Sequence, residues 1–143
     1  MLITTSYNDA EVKRIINKEV GNPFTLKERL KLKGIGSPKL HITEASIQIH
    51  NLLQINNSLN TCNIELRPAG IILNFNVRLA TYALVIPFYK LLIYKGKSDE
   101  YSIYRDNYFV KIRAGIHDKK VHAYIKKIIS LKSDQRPTSI QDL

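Results

Sequence analysis

Residues 62–113 carry the clearest pattern in the chain, and they read as a run of antiparallel strands separated by turns. Ile64 and Leu66 alternate with Glu65 and Arg67, the period of two that marks a strand with one wet face. Arg67-Pro68-Ala69-Gly70 follows as a tight turn, because Pro68 pre-sets a negative φ and Gly70 suits the exit. Ile71, Leu73, Phe75 and Val77 then fall on one side, with Asn74, Asn76 and Arg78 on the other. Residues 79–86 are apolar almost throughout, which predicts a strand buried on both faces or central in the sheet. Pro87 cannot donate to a ladder, so a bend, bulge or edge is expected there. Strand character resumes over residues 88–94, and residues 95–100 form a polar loop. Residues 101–104 begin another strand. Arg105-Asp106-Asn107 reads as a hairpin turn, since Asp and Asn tolerate left-handed backbone. Tyr108, Val110 and Ile112 alternate with Phe109, Lys111 and Arg113, completing a meander.

The flanks change period. Ahead of the strands, Val12, Ile15, Ile16 and Val20 form an apolar stripe at helical spacing, with Lys13, Arg14 and Lys18 facing water. Ser6 or Asn8 is expected to cap this helix, Asp9 and Glu11 sit in its first turn, and Gly21-Asn22-Pro23 stops it. Thr25-Leu26-Lys27-Glu28 fits a capping box, predicting a second short helix to about Lys33, although Leu26, Glu28, Leu30 and Leu32 also alternate with basic residues at a strand's period. The Gly34-Ile35-Gly36-Ser37-Pro38 connector lacks the spacing of a phosphate loop. Over residues 39–55 the period returns to two: Leu40 and Ile42 alternate with His41 and Thr43, then Ile47 and Ile49 with Gln48 and His50, so strands are expected. Residues 56–60 are a polar turn. At the other end Val121, Tyr124, Ile125, Ile128 and Ile129 mark one face of a long helix, and Lys119, Lys120, Lys126 and Lys127 the other. Lys126, Lys127 and Lys132 suit the negative end of its dipole.

The 143 residues are expected to form a single domain. About 1–36 is a helical N-terminal segment, 39–114 the antiparallel strands, 117–132 the C-terminal helix and 133–143 a frayed tail. Strands segregated from helices predict an α+β fold. The expected form is an antiparallel, strongly curved sheet or partly open barrel of six or seven strands, with an N-terminal helix and an amphipathic C-terminal helix capping it. Ile71, Leu73, Phe75, Leu84, Ile86, Ile112, Val121, Ile125 and Ile128 are the expected core. A strand meander followed by a capping helix resembles the pleckstrin-homology-like barrel. Residues 64–93, with the Gly70 hairpin and a strand ending Val85-Ile86-Pro87-Phe88, are similar to bacterial proteins of that type. The resemblance spans roughly residues 40–130. It implies a fold that supports lipid, peptide or protein binding; it transfers no site residue, and the extra N-terminal helices depart from the minimal domain.

Composition excludes more than it assigns. Hydrophobic residues make up 44% and charged residues 24% of the chain, as in ordinary globular proteins. The single cysteine, Cys62, rules out an internal disulfide and fits a reducing, cytoplasmic setting. Residues 1–5 lack the pattern of a signal peptide, and the longest apolar run, broken at Pro87 and closed by Lys90, is too short for a membrane span. His41, His50, His117 and His122 do not lie at metal-ligand spacing, so no metal or other cofactor is expected, and they read as surface residues of strands and helices. His122 alone, beside a lysine-rich helix face, is placed to help bind an anion. Cys62 has no local base, Asp99, Glu100 and Asp106 flank loops, and no serine sits in a GxSxG setting. The expected protein is therefore not an enzyme and has no catalytic residue. It reads as an interaction or binding module whose partner, protein or anionic, the sequence does not name.

Charge is the one compositional lead. The formal net charge is +10, more than solubility requires. Basic residues recur as Lys27, Arg29, Lys31, Lys33 and Lys39, and again as Lys111, Arg113, Lys119, Lys120, Lys126 and Lys127. Neither run is a dense tract, so solvated surface explains them as they stand. The alternative is a basic protein that binds nucleic acid or an anionic surface, with Lys111, Arg113, Lys119, Lys120, Lys126 and Lys127 as the anion-binding set. Tyr101, Tyr104, Tyr108 and Phe109 lie near Arg105, Lys111 and Arg113, but without the glycines of an RNA-recognition signature. Aromatics at that spacing are first of all packing residues.

Overall fold

The computed structural model describes residues 2–4, 10–56, 60–96 and 99–134. The strands are β1 (Leu2–Thr4), β2 (Leu40–Ala45), β3 (Thr61–Arg67), β4 (Gly70–Val77), β5 (Ala80–Pro87), β6 (Leu92–Lys95), β7 (Glu100–Arg105) and β8 (Tyr108–Arg113). The helices are α1 (Ala10–Val20), α2 (Leu26–Lys31), α3 (Ile47–Leu53) and α4 (Lys119–Asp134). The fold is α+β. All strand pairs are antiparallel, and the single sheet runs β1-β5-β4-β3-β2-β8-β7-β6, open between its two edges. The expected caps Ser6 and Asn8, the first-turn Asp9, residues 57–59 of the polar turn, Lys97 and Ser98, and residues 135–143 of the tail lie outside the described residues.

The hairpins follow the local chemistry. Pro68-Ala69 links β3 to β4, and Asp106, at φ 51°, sits in the turn joining β7 to β8. The meander β2–β5 and the meander β6–β8 meet where β2 pairs with β8, with a register shift between Ile42 and Glu44. Such an irregularity bends the strand, and residues from both meanders enter one core. Ile64, Leu73, Leu84 and Ile86 from one side meet Ile103, Val110 and Ile112 from the other. Helix α4 closes this core with Val121, Tyr124, Ile125 and Ile128, and every residue expected in the core is buried there. The Tyr124 hydroxyl lies 2.7 Å from the Ile35 carbonyl and 3.0 Å from that of Ile64, tying α4 to β3 and to the connector before β2. Burial first, and the Glu65 charge second, push that phenol well above its ordinary pKa, so it stays protonated and a donor.

A second, smaller cluster lies on the opposite face of β4 and β5. Ile16 and Val20 of α1 cover Ile72, Ala83 and Val85, joined by Ile3 and Val12. Two buried arginines hold α1 there. Arg67 donates to Asn17 Oδ1 and to the Gly21 carbonyl, both at 2.9 Å. Arg105 donates to Glu19 at 3.0 Å and to the Val85 carbonyl.

Several expectations are corrected. Residues 47–53 form a helix, not a strand, because Ile49 and Leu53, one turn apart, both plug into the main core. Arg67 does not stay on a wet face and Arg105 is not merely a turn residue; both are covered by α1. Residues 88–91 form a turn rather than strand, with Leu91 N–H donating to the Pro87 carbonyl at 3.1 Å, and β6 starts at Leu92. Helix α2 stops at Lys31, where Lys33 (φ 60°) and Gly34 (φ 99°) turn the chain. The strand β1 was not expected, and it brings the count to eight. Leu79 is a fully exposed turn tip, and Ile15 and Ile129 lie at the margins of their apolar faces.

Candidate basic groove at the start of the C-terminal helix

The anion-binding set splits in three dimensions. Arg113 ends β8, and Lys119 and Lys120 begin α4; together with Lys39, His41 and His117 they line one open groove of about 440 Å³. Lys111 instead pairs with Glu44 at 3.4 Å and leans over the Phe109 ring. Lys127 reaches the Gly34 carbonyl at 3.4 Å and the Tyr124 ring. Lys126 lines a different groove, of about 520 Å³, with Lys95 and Asp99. Lys39, which the sequence grouped with the front basic run, and His41, which it read as a surface residue, belong to the first groove; the antiparallel pairing of β2 with β8 is what sets them beside Arg113.

The groove is built by backbone geometry. After β8 the chain turns through residues 114–118, with Asp118 N–H donating to the Gly115 carbonyl at 3.0 Å and the Asp118 carboxylate accepting from Gly115 N–H at 2.7 Å. Asp118, the one carboxylate lining the groove, thereby turns an oxygen onto the chain itself. Four cations, Lys39, Arg113, Lys119 and Lys120, line the same groove.

The first turn of α4 has no acidic residue and opens on two lysines. The N-terminal end of a helix carries partial positive charge, and a cation there is disfavoured by roughly 0.3–1 kcal/mol. Lys119 and Lys120 therefore work against the stability of that turn while adding to the positive potential over the groove.

Elsewhere the chemistry is quiet. Burial pushes the Cys62 thiol up to about 12, leaving it an un-ionised core side chain. Among the described residues no group of three or more His, Cys, Asp or Glu side chains is placed to hold a metal ion. No helix among them is long and apolar enough to cross a membrane. His41 and His117 are exposed, and His50 lies 3.1 Å from Gln54 Nε2. His122 departs from the surface reading: it is half-buried and hydrogen-bonded to Tyr101.

The second basic run forms a different surface. Thr25 caps α2 through a complete capping box, its hydroxyl accepting from Glu28 N–H while the Glu28 carboxylate accepts from Thr25 N–H. Those bonds hold the Glu28 carboxyl below its ordinary pKa. None of the α2 residues is buried, and Leu26 and Leu30, one turn apart, are 74% and 73% exposed. Lys27, Arg29, Lys31 and Lys33 interleave with them.

The class defined by fold and surface is thus an α+β protein with an open antiparallel sheet and a basic groove at the N-terminal end of its closing helix. No protein-family model, curated protein or solved structure matches the chain.

Proposed function

We propose that the chain is a non-enzymatic binding module of pleckstrin-homology-like architecture, working in a reducing, cytoplasmic setting, and that its basic groove receives an anionic group. The architecture is supported by two meanders of four and three strands, β2–β5 and β6–β8, joined through β2 and β8 and followed by a helix that closes the core. The function rests on one observation: four cations from three separate segments, two of them disfavoured by their own helix, line a groove with one carboxylate. Lys111, Lys126 and Lys127 are left out of that groove, and Lys39 and His41 are added.

Charge reversal tests this reading. The double variant Lys119→Glu/Lys120→Glu is expected to lose retention on an anionic matrix at low salt by about tenfold or more, as loss of several close charge contacts does. Both side chains are exposed, so its melting temperature should stay near wild type. Unchanged retention would remove the groove from the account.

A second reading, an anionic lipid surface as the partner, is favoured by α2. Exposed leucines beside lysines and arginine are the arrangement of an interfacial helix, whose apolar side chains enter the headgroup region while cations meet anionic lipid. Replacing Leu26 and Leu30 by Ser is expected to weaken binding to vesicles containing phosphatidylserine by about tenfold. Binding to short nucleic acids should not change. Equal loss on both would assign the effect to the fold and reject the lipid reading.

A further inference from the structure

We propose that the groove between β6 and α4 is a second, proton-linked site for an oxyanionic group, in which the Tyr101 hydroxyl is the donor and His122 decides whether that donor is available. This groove, of about 520 Å³, shares no lining residue with the basic groove. Tyr101 comes from β7 and is buried, and His122 comes from the first half of α4. Their rings meet edge to face at 5.5 Å.

The hydrogen bonds fix the proton positions. His122 Nε2 lies 2.9 Å from the Gly115 carbonyl, which can only accept, so Nε2 carries the proton. In the neutral imidazole Nδ1 is then bare. The Tyr101 oxygen lies 2.7 Å from Nδ1, so the hydroxyl donates to the ring and its one proton is engaged within the pair.

Protonation of His122 inverts this. Nδ1 gains a proton from solvent and becomes a donor to the phenol oxygen, so the phenol proton must leave the ring. An anionic oxygen in the groove is the acceptor it meets. Lys95 of β6 and Lys126 of α4 line the same groove and supply charge, and the imidazolium adds a third cation. The opposing groups are Asp99, at the turn into β7, which lines this groove, and Asp118, the residue just before α4, which lines the other groove and whose carboxylate is held on Gly115 N–H. His117 and Lys119 stand at the same turn but toward the other groove. Binding thus takes up one proton and changes no covalent bond to carbon.

The anion prefers the imidazolium form, so affinity is full on the acid side of the His122 titration and falls as pH rises through it, by up to about tenfold per pH unit.

The test uses the full chain carrying Lys119→Glu/Lys120→Glu, so that loss of the basic groove cannot be mistaken for loss of this site. Sulfate, fully ionised throughout, and acetate are titrated separately between about pH 5.5 and 8, following the His122 ring protons by NMR and the dissociation constant by calorimetry. Either anion should move the His122 titration to higher pH. Tighter binding of sulfate assigns the site to phosphate-type groups, and tighter binding of acetate to carboxylates. His122→Gln retains an acceptor for Tyr101 and a donor for Gly115 but cannot be protonated. It should abolish the pH dependence and weaken binding at the acid end by about tenfold. Tyr101→Phe should weaken binding at the acid end while His122 still titrates. A His122 ring that responds to neither anion, or a His122→Gln variant with the wild-type pH profile, would overturn the proposal.

Discussion

Ile125→Lys is expected to unfold the chain, or to leave it with a melting temperature tens of degrees lower. Ile125 is 1% exposed and sits between Val121 and Ile128 at the centre of the face that α4 lays on the sheet. A lysine there must bury an unpaired ammonium or push the helix off the core; either costs several kcal/mol, from a total stability of only about 5–15 kcal/mol. Ile129→Lys on the same helix is the control, because that residue is 48% exposed and an exposed substitution changes stability by about 0.5 kcal/mol or less. Thermal melts of both variants distinguish charge as such from burial. A near-normal melting temperature for Ile125→Lys would take α4 out of the core.

Gly70→Ala should be nearly as damaging, for a reason the sequence pattern does not give. Gly70 pairs with Pro87 across β4 and β5, and its backbone is of the ordinary negative-φ kind rather than the left-handed kind of a turn glycine. What forbids a side chain is proximity. A Cβ on Gly70 would lie 2.6 Å from Val20 Cγ1 and 2.8 Å from Pro87 Cα, and closer still to the Ile86 carbonyl oxygen. Two of those three neighbours are backbone, so the strand pair must part or α1 must lift. The expected loss is about 3 kcal/mol, at the upper end of overpacking. In urea denaturation, Val20→Ala should recover part of it, so the two substitutions should be less than additive. A single variant within about 0.5 kcal/mol of wild type would mean that this corner is loose.

The contrast between these two positions shows where the sequence is legible. Ile125 declares itself, because Val121, Tyr124, Ile125 and Ile128 repeat at helical spacing and the helix does with them what the period says. The strands β3, β4, β5 and β8 were readable for the same reason, each having at least six residues of alternation or apolar run. Residues 47–50 alternate just as well, yet they are helical. Ile49 and Leu53 together fill the core beside β2 and β8, and the period-two stretch is only four residues long. At β1, three residues are too few to show any period, and the strand exists because β5 offers it an edge. Arg67 and Arg105 looked wet because their covering residues, Asn17, Gly21 and Glu19, lie 46 to 86 positions away. Gly70 looked like a turn residue because its own contacts, with Val20 of α1 and with Ile86 and Pro87 of β5, leave no local trace.

The candidate sites were legible to the same degree. Lys119, Lys120 and Arg113 are close in sequence, so the sequence could group them; Lys39 and His41 reach the groove only through strand pairing. Lys111 carried the same charge signal, but Glu44, its partner across β2 and β8, takes it up. His122 and Tyr101 are 21 residues apart, and no spacing rule joins a strand tyrosine to a helix histidine.

Salt-dependent binding to a panel of anionic partners tests the basic groove as an anion site. The panel holds phosphatidylserine vesicles, short single-stranded and short double-stranded nucleic acids, each at low and moderate ionic strength, against wild type and Lys119→Glu/Lys120→Glu. Tight binding to at least one class is expected, falling steeply with salt and lost in the double variant. Absence of binding to every member at low salt, or binding that the double variant retains, would contradict it and leave the net charge of +10 as solvated surface.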